Sequence, residues 1–417
     1  MNSNNEQVTM DHWKKNIILF LSSQTISLFG SSLVQYAIMW HITLTTQSGM
    51  MMTLYILCGF VPTFILSPFA GVWADRYNRK ILIILADALI AVATLILAVI
   101  FLMGHESIGL LFVMAAIRAV GAGIQTPAVG AILPQIVPAE HLTKVNGTNG
   151  SLQAIMMFVA PMVSAALMTM TTLETIFFID VITAAIAILT LLLFFRIPLH
   201  KKATEQQSTS YFDDFKQGLI YIREHDFLKK FFLFFSLFFI LMAPAAFMTP
   251  LQVTRSFGDE IWRLTAIEIA FSVGMMAGGA LIASWGGFQN KIHTMMVASL
   301  LMGVCTFALG VIPVFWIYLF FMAVFGLAMP VFNTPTMVLV QENVDEDYLG
   351  RIFGVFGMIS TSMMPIGMLI FGPIADIVKI EWLLIGTGIL LCIVSLFLGR
   401  SKVLIEVGKP ALKESNN

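Results

Sequence analysis

Long apolar runs alternate with short polar connections along almost the whole chain. A helix needs about 20 apolar residues to cross a hydrocarbon core of about 30 Å. The runs that reach this length cover residues 17–41, 50–74, 81–103, 109–133, 146–170, 175–196, 230–250, 263–285, 292–312, 314–338, 350–375 and 382–399. Each predicts a membrane-spanning helix, so the fold class is an all-α membrane protein with twelve transmembrane helices.

The longest polar connection, residues 197–229, divides the predicted spans into two sets of six. Within it, apolar residues recur at helical spacing opposite charged positions. These apolar residues are Phe212, Phe215, Leu219 and Ile222. The pattern predicts an amphipathic helix that lies on the membrane surface. This helix is either a simple linker or a regulatory element.

The two sets of six spans repeat each other's landmarks. Gly71 and Gly279 are 208 positions apart, and Pro127 and Pro335 have the same offset. A parallel repeat of six spans predicts two pseudo-symmetric six-helix bundles. The predicted organisation is a first bundle at 1–196, a linker at 197–229, a second bundle at 230–399 and a tail at 400–417.

Composition excludes several classes of protein. Hydrophobic residues make up 58% of the chain and charged residues 11%, whereas about a quarter of a soluble domain is charged. With a net charge of -1 and no basic segment, nucleic acid is not an expected partner. The sequence carries no phosphate-binding loop, catalytic constellation or metal-ligand spacing, so we expect neither an enzyme nor a cofactor.

The distribution of basic residues predicts the orientation in the membrane. Of the 23 Lys and Arg residues, all but Arg118, Arg255, Arg263 and Lys379 fall in segments on one side. Basic residues accumulate in cytoplasmic loops. We therefore expect a multi-pass protein of the bacterial cytoplasmic membrane with both termini in the cytoplasm.

The loop between the second and third spans concentrates charge in a short pattern, G-x-x-x-D-R-x-x-R-K. Its residues are Gly71, Asp75, Arg76, Arg79 and Lys80. The pattern resembles the signature loop of the major facilitator superfamily of transporters. Asn78 stands where that family usually has Gly, and Asn is the next most tolerant residue of a left-handed turn, so this departure from the pattern is mild.

The resemblance implies a gating role for this loop. In the family the acid locks against the start of the eleventh helix, which here begins at Gly350 and Arg351. A helix N-terminus favours a nearby carboxylate. The three bases could instead serve orientation and contact with anionic lipid headgroups.

A second resemblance lies in the fourth span. Arg118, Gly121, Gly123 and Gln125 resemble the family motif R-x-x-Q-G-x-G, although Gly121 occupies the Gln position and the spacing is one shorter. The resemblance implies that Arg118 takes part in proton coupling. The alternative is a structural contact with neighbouring carbonyl groups.

Charged residues are costly inside a membrane span, and each is therefore a functional candidate. The candidates for proton coupling are Glu268, Asp180, Arg118 and Asp87. Asp87 shares a helix face with Ala91 and Thr94, and it could instead pair with a base near the start of its helix. Asp180 and Glu268 could instead pair with polar neighbours that hold the bundle together.

Polar and soft side chains indicate a substrate cavity. The first span carries a polar stripe that lipid would not accept, and methionines suit varied apolar ligands. The cavity candidates are Gln24, Ser27, Ser31, Gln35, Gln125, Met275 and Asn333.

The segments 117–128 and 137–144 are similar to the drug:proton antiporter branch of the superfamily, which includes macrolide efflux pumps. The resemblance implies a monomeric transporter that exports amphipathic drugs, macrolides foremost, in exchange for protons. The same fold could instead export or import another solute, such as a tetracycline, a lipid or a metabolite. A receptor or scaffold that transports nothing is the third possibility.

Overall fold

The computed structural model describes residues 13–194 and 211–409, except for the side chains of some residues within them. In this part of the chain the structure is helical and contains no β-strand. Twelve of its helices are long and apolar enough to span a membrane. The predicted all-α class and the twelve spans are confirmed.

The first five helices are longer than the apolar runs suggest, because their ends extend into polar residues. The helices of the first half are α1 (Trp13–Thr46), α2 (Gly49–Arg76), α3 (Arg79–Leu102), α4 (Ile108–Ile136), α5 (Leu142–Met170) and α6 (Leu173–Phe194). A short 3-10 turn, Ala139–His141, precedes α5.

The second half begins with a helix in the polar connection. Its helices are α7 (Tyr211–Glu224), α8 (Asp226–Phe247), α9 (Thr249–Ser256), α10 (Ile261–Trp285), α11 (Lys291–Val311), α12 (Phe315–Asn343), α13 (Glu346–Ile374), α14 (Ile380–Arg400) and α15 (Lys402–Val407).

The chain forms two compact units. Within the described residues, the first unit comprises 13–45 and 54–194, and the second comprises 46–53 and 211–409. The first turn of α2 therefore belongs to the second unit, although the rest of that helix belongs to the first. The division does not test the predicted bundle boundaries at 196, 229 and 399.

Asn78 has an extended backbone and caps a helix, so it does not use the left-handed conformation that Asn tolerates. Asn78 has φ −64° and ψ 111°, and its side-chain oxygen accepts hydrogen bonds from the amides of Lys80 and Ile81 at 3.0 and 3.4 Å. Asn290 caps α11 in the same way, through the amide of Ile292 at 2.9 Å. An Asn side chain satisfies free amides at a helix start, so each residue is an N-cap.

The predicted amphipathic helix corresponds to α7. Leu219 is half exposed and Ile222 is buried, whereas the side chains of Phe212 and Phe215 lie outside the described residues. Tyr221 stacks on Tyr348 with ring centroids 4.3 Å apart, and its hydroxyl donates to Asp345 at 3.0 Å. The helix thus packs against the start of α13, and its location on a membrane surface remains a prediction.

Candidate functional site

Four helices of the first unit bring polar side chains together in their core. They are α1, α3, α4 and α6, and α3 packs against both α4 and α6. The contributing residues are Ser27 and Ser31, Asp87 and Thr94, Arg118 and Gln125, and Asp180. Residues four or seven apart share a helix face, so each of α1, α3 and α4 contributes to two successive layers. We call this set the polar column.

The first layer of the polar column is a buried ion pair. Arg118 Nη1 lies 2.5 Å from Asp180 Oδ2, and the two side chains are 12% and 1% exposed. Arg118 also donates to the Thr94 hydroxyl at 3.0 Å and to the Ser31 carbonyl at 2.9 Å. The hydroxyls of Thr94 and Ser31 lie 3.1 and 3.3 Å from the Asp180 carboxylate oxygens. The pair therefore has the additional hydrogen bonds that a buried salt bridge needs.

Two glycines permit the close helix packing around this layer. A Cβ on Gly30 would overlap the Thr183 hydroxyl and lie 3.0 Å from Asp180 Cα. On Gly121, a Cβ would lie 2.5 Å from Ile90 Cγ1. A glutamine, which the family motif usually has at this position, would displace Ile90, so the departure from the motif matches the packing of α4 on α3.

The second layer contains a carboxylate without a cationic partner. Asp87 is 2% exposed, and its Oδ1 accepts from the Ser27 hydroxyl at 2.7 Å and from Gln125 Nε2 at 2.9 Å. Gln125 Nε2 also lies 3.3 Å from Gln24 Oε1. Asp87 Oδ2 and Gln24 Nε2 are buried and have no partner among the described residues.

These contacts show which neighbours the acids and Arg118 meet, and the roles in proton coupling remain predictions. The interpretation of Asp87 as an acid paired with a base is wrong, because its partners are a hydroxyl and an amide. Asp180 does pair with a neighbour, Arg118, and Arg118 also contacts the carbonyl of Ser31.

Glu268 lies apart from the polar column, on α10 of the second unit. Its side chain is partly buried and has no hydrogen bond or ion pair with any described residue. Ser272 and Met275 follow on the same face and are also partly exposed. A carboxylate in this position is free to gain a proton or a cation without breaking an existing contact.

The predicted cavity residues do not form a single group. Gln24, Ser27, Ser31 and Gln125 belong to the polar column. Gln35 is exposed, and its carbonyl accepts from the Tyr55 hydroxyl at 3.1 Å. Met275 and the exposed Asn333 lie in the second unit.

The bases of the signature loop hold helix ends within the first unit. Arg79 donates to the carbonyls of Ala74 at 2.9 Å and Ala131 at 2.7 Å, and Lys80 Nζ lies 3.5 Å from the Leu192 carbonyl. The side chains of Asp75 and Arg76 lie outside the described residues, and Gly71 and Gly350 are described only as parts of helices α2 and α13. The lock between Asp75 and the eleventh span therefore remains a prediction.

A charged cluster that the sequence did not reveal lies in the second unit. Asp376 accepts from the Ser48 hydroxyl and the Gly49 amide at 2.7 Å each, from the Met50 amide at 3.0 Å and from Arg255 at 3.0 Å. Partial burial alone would raise the pKa of Asp376, but these hydrogen bonds outweigh it and lower the pKa below its ordinary value. The partners are more than 120 positions away in sequence, so no local pattern marks them.

Thr94 and Gly30 are two further members of the site that sequence reasoning did not select. Thr94 is seven residues after Asp87, and this spacing places both residues on one face of the helix. The spacing was the sequence signal that could have identified Thr94. Gly30 gave no signal, because its importance depends on the neighbouring helix. Within residues 13–194 and 211–409, no three His, Cys, Asp or Glu side chains are grouped as a metal site.

Comparison with known proteins identifies the family. Residues 16–368 match the family described as Major Facilitator Superfamily. The chain belongs to the major facilitator superfamily. Membership in this superfamily makes the protein a multi-pass membrane transporter, and the predicted superfamily is confirmed.

Among major facilitator proteins, the chain is similar to Macrolide efflux protein A of Streptococcus pyogenes, with 30% identity over 92% of this chain and 95% of the relative. It is 31% identical to Macrolide efflux protein A of Enterococcus faecalis over 77% of this chain and 99% of the relative. A solved structure of a bacterial homologue of the iron transporter ferroportin covers 93% of this chain, with 99% of its own length matched, a TM-score of 0.70 and 14% identity. At that identity the likeness shows the major facilitator fold alone.

Proposed function

We propose that this transporter exports amphipathic drugs, macrolide-type antibiotics foremost, in exchange for protons. The coupling is supported by three acidic side chains within membrane spans, Asp87, Asp180 and Glu268. Among the residues that the structure describes, only Asp180 has a cationic partner. Such groups are costly in a membrane unless a partner or a bound proton neutralises them, so an acid without a cationic partner is a candidate proton carrier.

The choice of substrate rests on the relatives. Macrolide efflux proteins of two bacteria match most of this chain at 30% and 31% identity. The alternative remains another solute moved by the same fold, such as a tetracycline, a lipid or a metabolite.

The proposed orientation places both termini in the cytoplasm of a bacterial cell. It is supported by the excess of Lys and Arg in the segments that this orientation places inside. Transport then follows alternating access, in which a central site opens to each side in turn. We propose that a monomer carries out this cycle.

A proton would enter from outside and reach Glu268 or Asp180. Glu268 can accept it without losing a contact, because no described residue bonds to its carboxylate. Asp180 can accept it only by weakening the contact with Arg118. Protonation would favour the state that releases drug, and deprotonation toward the cytoplasm would complete the exchange.

The test is macrolide uptake into inverted vesicles from a pump-deficient bacterium that expresses this chain. We expect uptake with an imposed pH gradient and no ATP, and loss of uptake when nigericin collapses the gradient. Uptake that persists after collapse would rule out proton coupling. Parallel assays with a tetracycline and a cationic dye test the substrate, and preference for either over macrolides would contradict the macrolide assignment.

The role of Glu268 is tested in the same vesicles with Glu268→Gln. We expect gradient-driven uptake to fall at least tenfold, while the amount of folded protein stays unchanged. Glu406→Gln is the matched control, because Glu406 is exposed on the short helix α15. Equal uptake by Glu268→Gln and the wild type would remove Glu268 from the coupling residues.

A further inference from the structure

The two layers of the polar column differ in charge balance. The first layer contains one acid and one base, which neutralise each other. In the second layer, Asp87 has two hydrogen-bond donors on one oxygen and no cation on the other. A buried carboxylate left without compensation costs several kcal/mol, so this layer must obtain a positive charge from solution.

No other side chain of the four surrounding helices supplies that charge. Arg118 is held by Asp180, Thr94 and the Ser31 carbonyl. The remaining ionisable residues of α1, α3, α4 and α6 stand in the terminal turns or toward the other end of their helices. They are Lys14, Lys15, Tyr36, His41, Arg79, Lys80 and Glu174.

The chemistry of the layer favours a proton over a metal cation. A bound Na⁺ or K⁺ needs several oxygen ligands, whereas Gln125 presents an N–H to the Asp87 carboxylate and the adjacent Gln24 has a buried, unused N–H. A proton requires only one carboxylate oxygen, and Asp87 Oδ2 is the oxygen without a partner.

The unused groups also suggest how proton release would be sensed. Loss of the proton from Asp87 Oδ2 to water leaves an acceptor in the layer, and Gln24 Nε2 on α1 is a donor without an acceptor. Gln125 already links the two residues, since its Nε2 contacts both Asp87 Oδ1 and Gln24 Oε1. A rotation of the Gln24 side chain would join donor and acceptor and would couple α1 to the charge on α3.

We propose that Asp87, with Gln24 and Gln125, is the proton-exchange site of the first unit, and that the Arg118–Asp180 pair is a permanent structural ion pair. This inference rests on the proposed proton-coupled export and takes Asp87 Oδ2, in place of Asp180, as the proton-carrying atom of the first unit, while Glu268 stays the candidate of the second unit. Gln24 and Gln125 are positioning residues that act through the carboxylate.

The direct test is infrared spectroscopy of the full-length protein in liposomes during a pH step. The carbonyl stretch of a protonated carboxyl group appears apart from that of a carboxylate. We expect the wild type to lose a protonated-carboxyl component on alkalinisation, and Asp87→Asn to lack that component. Glu268→Gln should retain it, because Glu268 is in the other unit. The comparison is made in the Glu268→Gln background, and a component that persists there after Asp87→Asn would overturn the proposal.

Further conditions and variants of the infrared experiment separate the remaining possibilities. Replacement of choline by Na⁺ at fixed pH should leave the component unchanged, and its loss in Na⁺ would assign the site to a metal cation instead.

Gln24→Leu should shift the pH profile of the component, whereas Glu406→Gln should not. An unshifted profile in Gln24→Leu would contradict the sensing role. If Asp87→Asn folds poorly, Asp87→Glu is used as a second variant. It keeps a carboxyl group, and we expect it to show the component.

Transport separates failure of this inference from failure of the proposed function. We expect Asp87→Asn to lose gradient-driven macrolide uptake at least tenfold but to retain drug–drug exchange, which needs no net proton movement. If the wild type shows no gradient-driven uptake, the proposed function fails. If the wild type is gradient-driven and Asp87→Asn equals it, the function stands and the proton belongs elsewhere.

Discussion

The two units of this transporter use different chemistry to pack their membrane helices. The first unit places an ion pair and a second carboxylate in the core of four helices, Arg118–Asp180 and Asp87. The second unit packs phenylalanine rings of α8 against α12 and α13, with Phe238 and Phe332 centroids 4.6 Å apart and those of Phe235 and Phe356 5.1 Å apart.

The second unit also brings two backbones into direct contact. A Cβ on Gly274 or Gly278 of α10 would overlap the carbonyl of Ala323 or Leu327 on α12. Small residues allow this approach, and dispersion then holds the helices without polar groups. The cores of the two units therefore differ: buried charges meet in the first, whereas rings and closely packed backbones meet in the second.

The largest effect should come from breaking the ion pair. Arg118→Leu leaves Asp180 buried and unpaired, and we expect a loss of about 3–5 kcal/mol in the free energy of unfolding in detergent. The double variant Arg118→Leu/Asp180→Leu should recover most of that loss, because it removes both charges.

The matched control for this prediction is an exposed ion pair of the second unit. Lys291 and Glu342 are 2.7 Å apart, with side chains 23% and 51% exposed. Lys291→Leu should cost no more than about 1 kcal/mol. Equal losses for Arg118→Leu and Lys291→Leu would show that burial of the first pair has no energetic consequence.

A smaller effect is expected from the glycine contacts of the second unit. Gly274→Ala forces α10 away from the Ala323 carbonyl, and we expect it to cost about 1–3 kcal/mol. Gly279→Ala is the control on the same helix, because a Cβ there meets no atom within 4 Å. It should be neutral or stabilising by up to about 1 kcal/mol. Thermal unfolding measures both, and equal behaviour would contradict the backbone contact.

The smallest effect should appear as a pH dependence at Asp376. Its pKa is lowered in the folded protein by hydrogen bonds from Ser48, Gly49, Met50 and Arg255, which outweigh partial burial. The stabilisation is therefore present above the ordinary unfolded pKa of about 3.9 and is lost as the pH falls through the lower folded pKa.

Unfolding measured between about pH 6 and pH 3 tests this dependence. Asp376→Asn should lower stability at pH 6, and its difference from the wild type should shrink toward pH 3. Asp259 has an exposed carboxyl group without a partner among the described residues. Asp259→Asn should therefore change neither the stability at pH 6 nor its dependence on pH. A difference for Asp376→Asn that stays constant with pH would show that its charge does not matter.

Sequence reasoning found the individual acids and bases of the site because charge is rare and costly inside a span. It could not assign partners. Asp180 and Arg118 are 62 positions apart, and Ser27 and Asp87 are 60 apart, so only packing shows which residues meet. At Asn78 the residue type showed only that a left-handed turn would be tolerated, and the structure has a helix cap there.

The sequence by itself determined the class of protein, the twelve spans and the superfamily, because hydrophobic length and a charged loop motif are local properties of the chain. Only the tertiary structure decided that Arg118 neutralises Asp180 while Asp87 is left with a hydroxyl and an amide. The physical reason is that charge compensation in a membrane depends on distances between helices, and those distances are set by packing at positions such as Gly30 and Gly121.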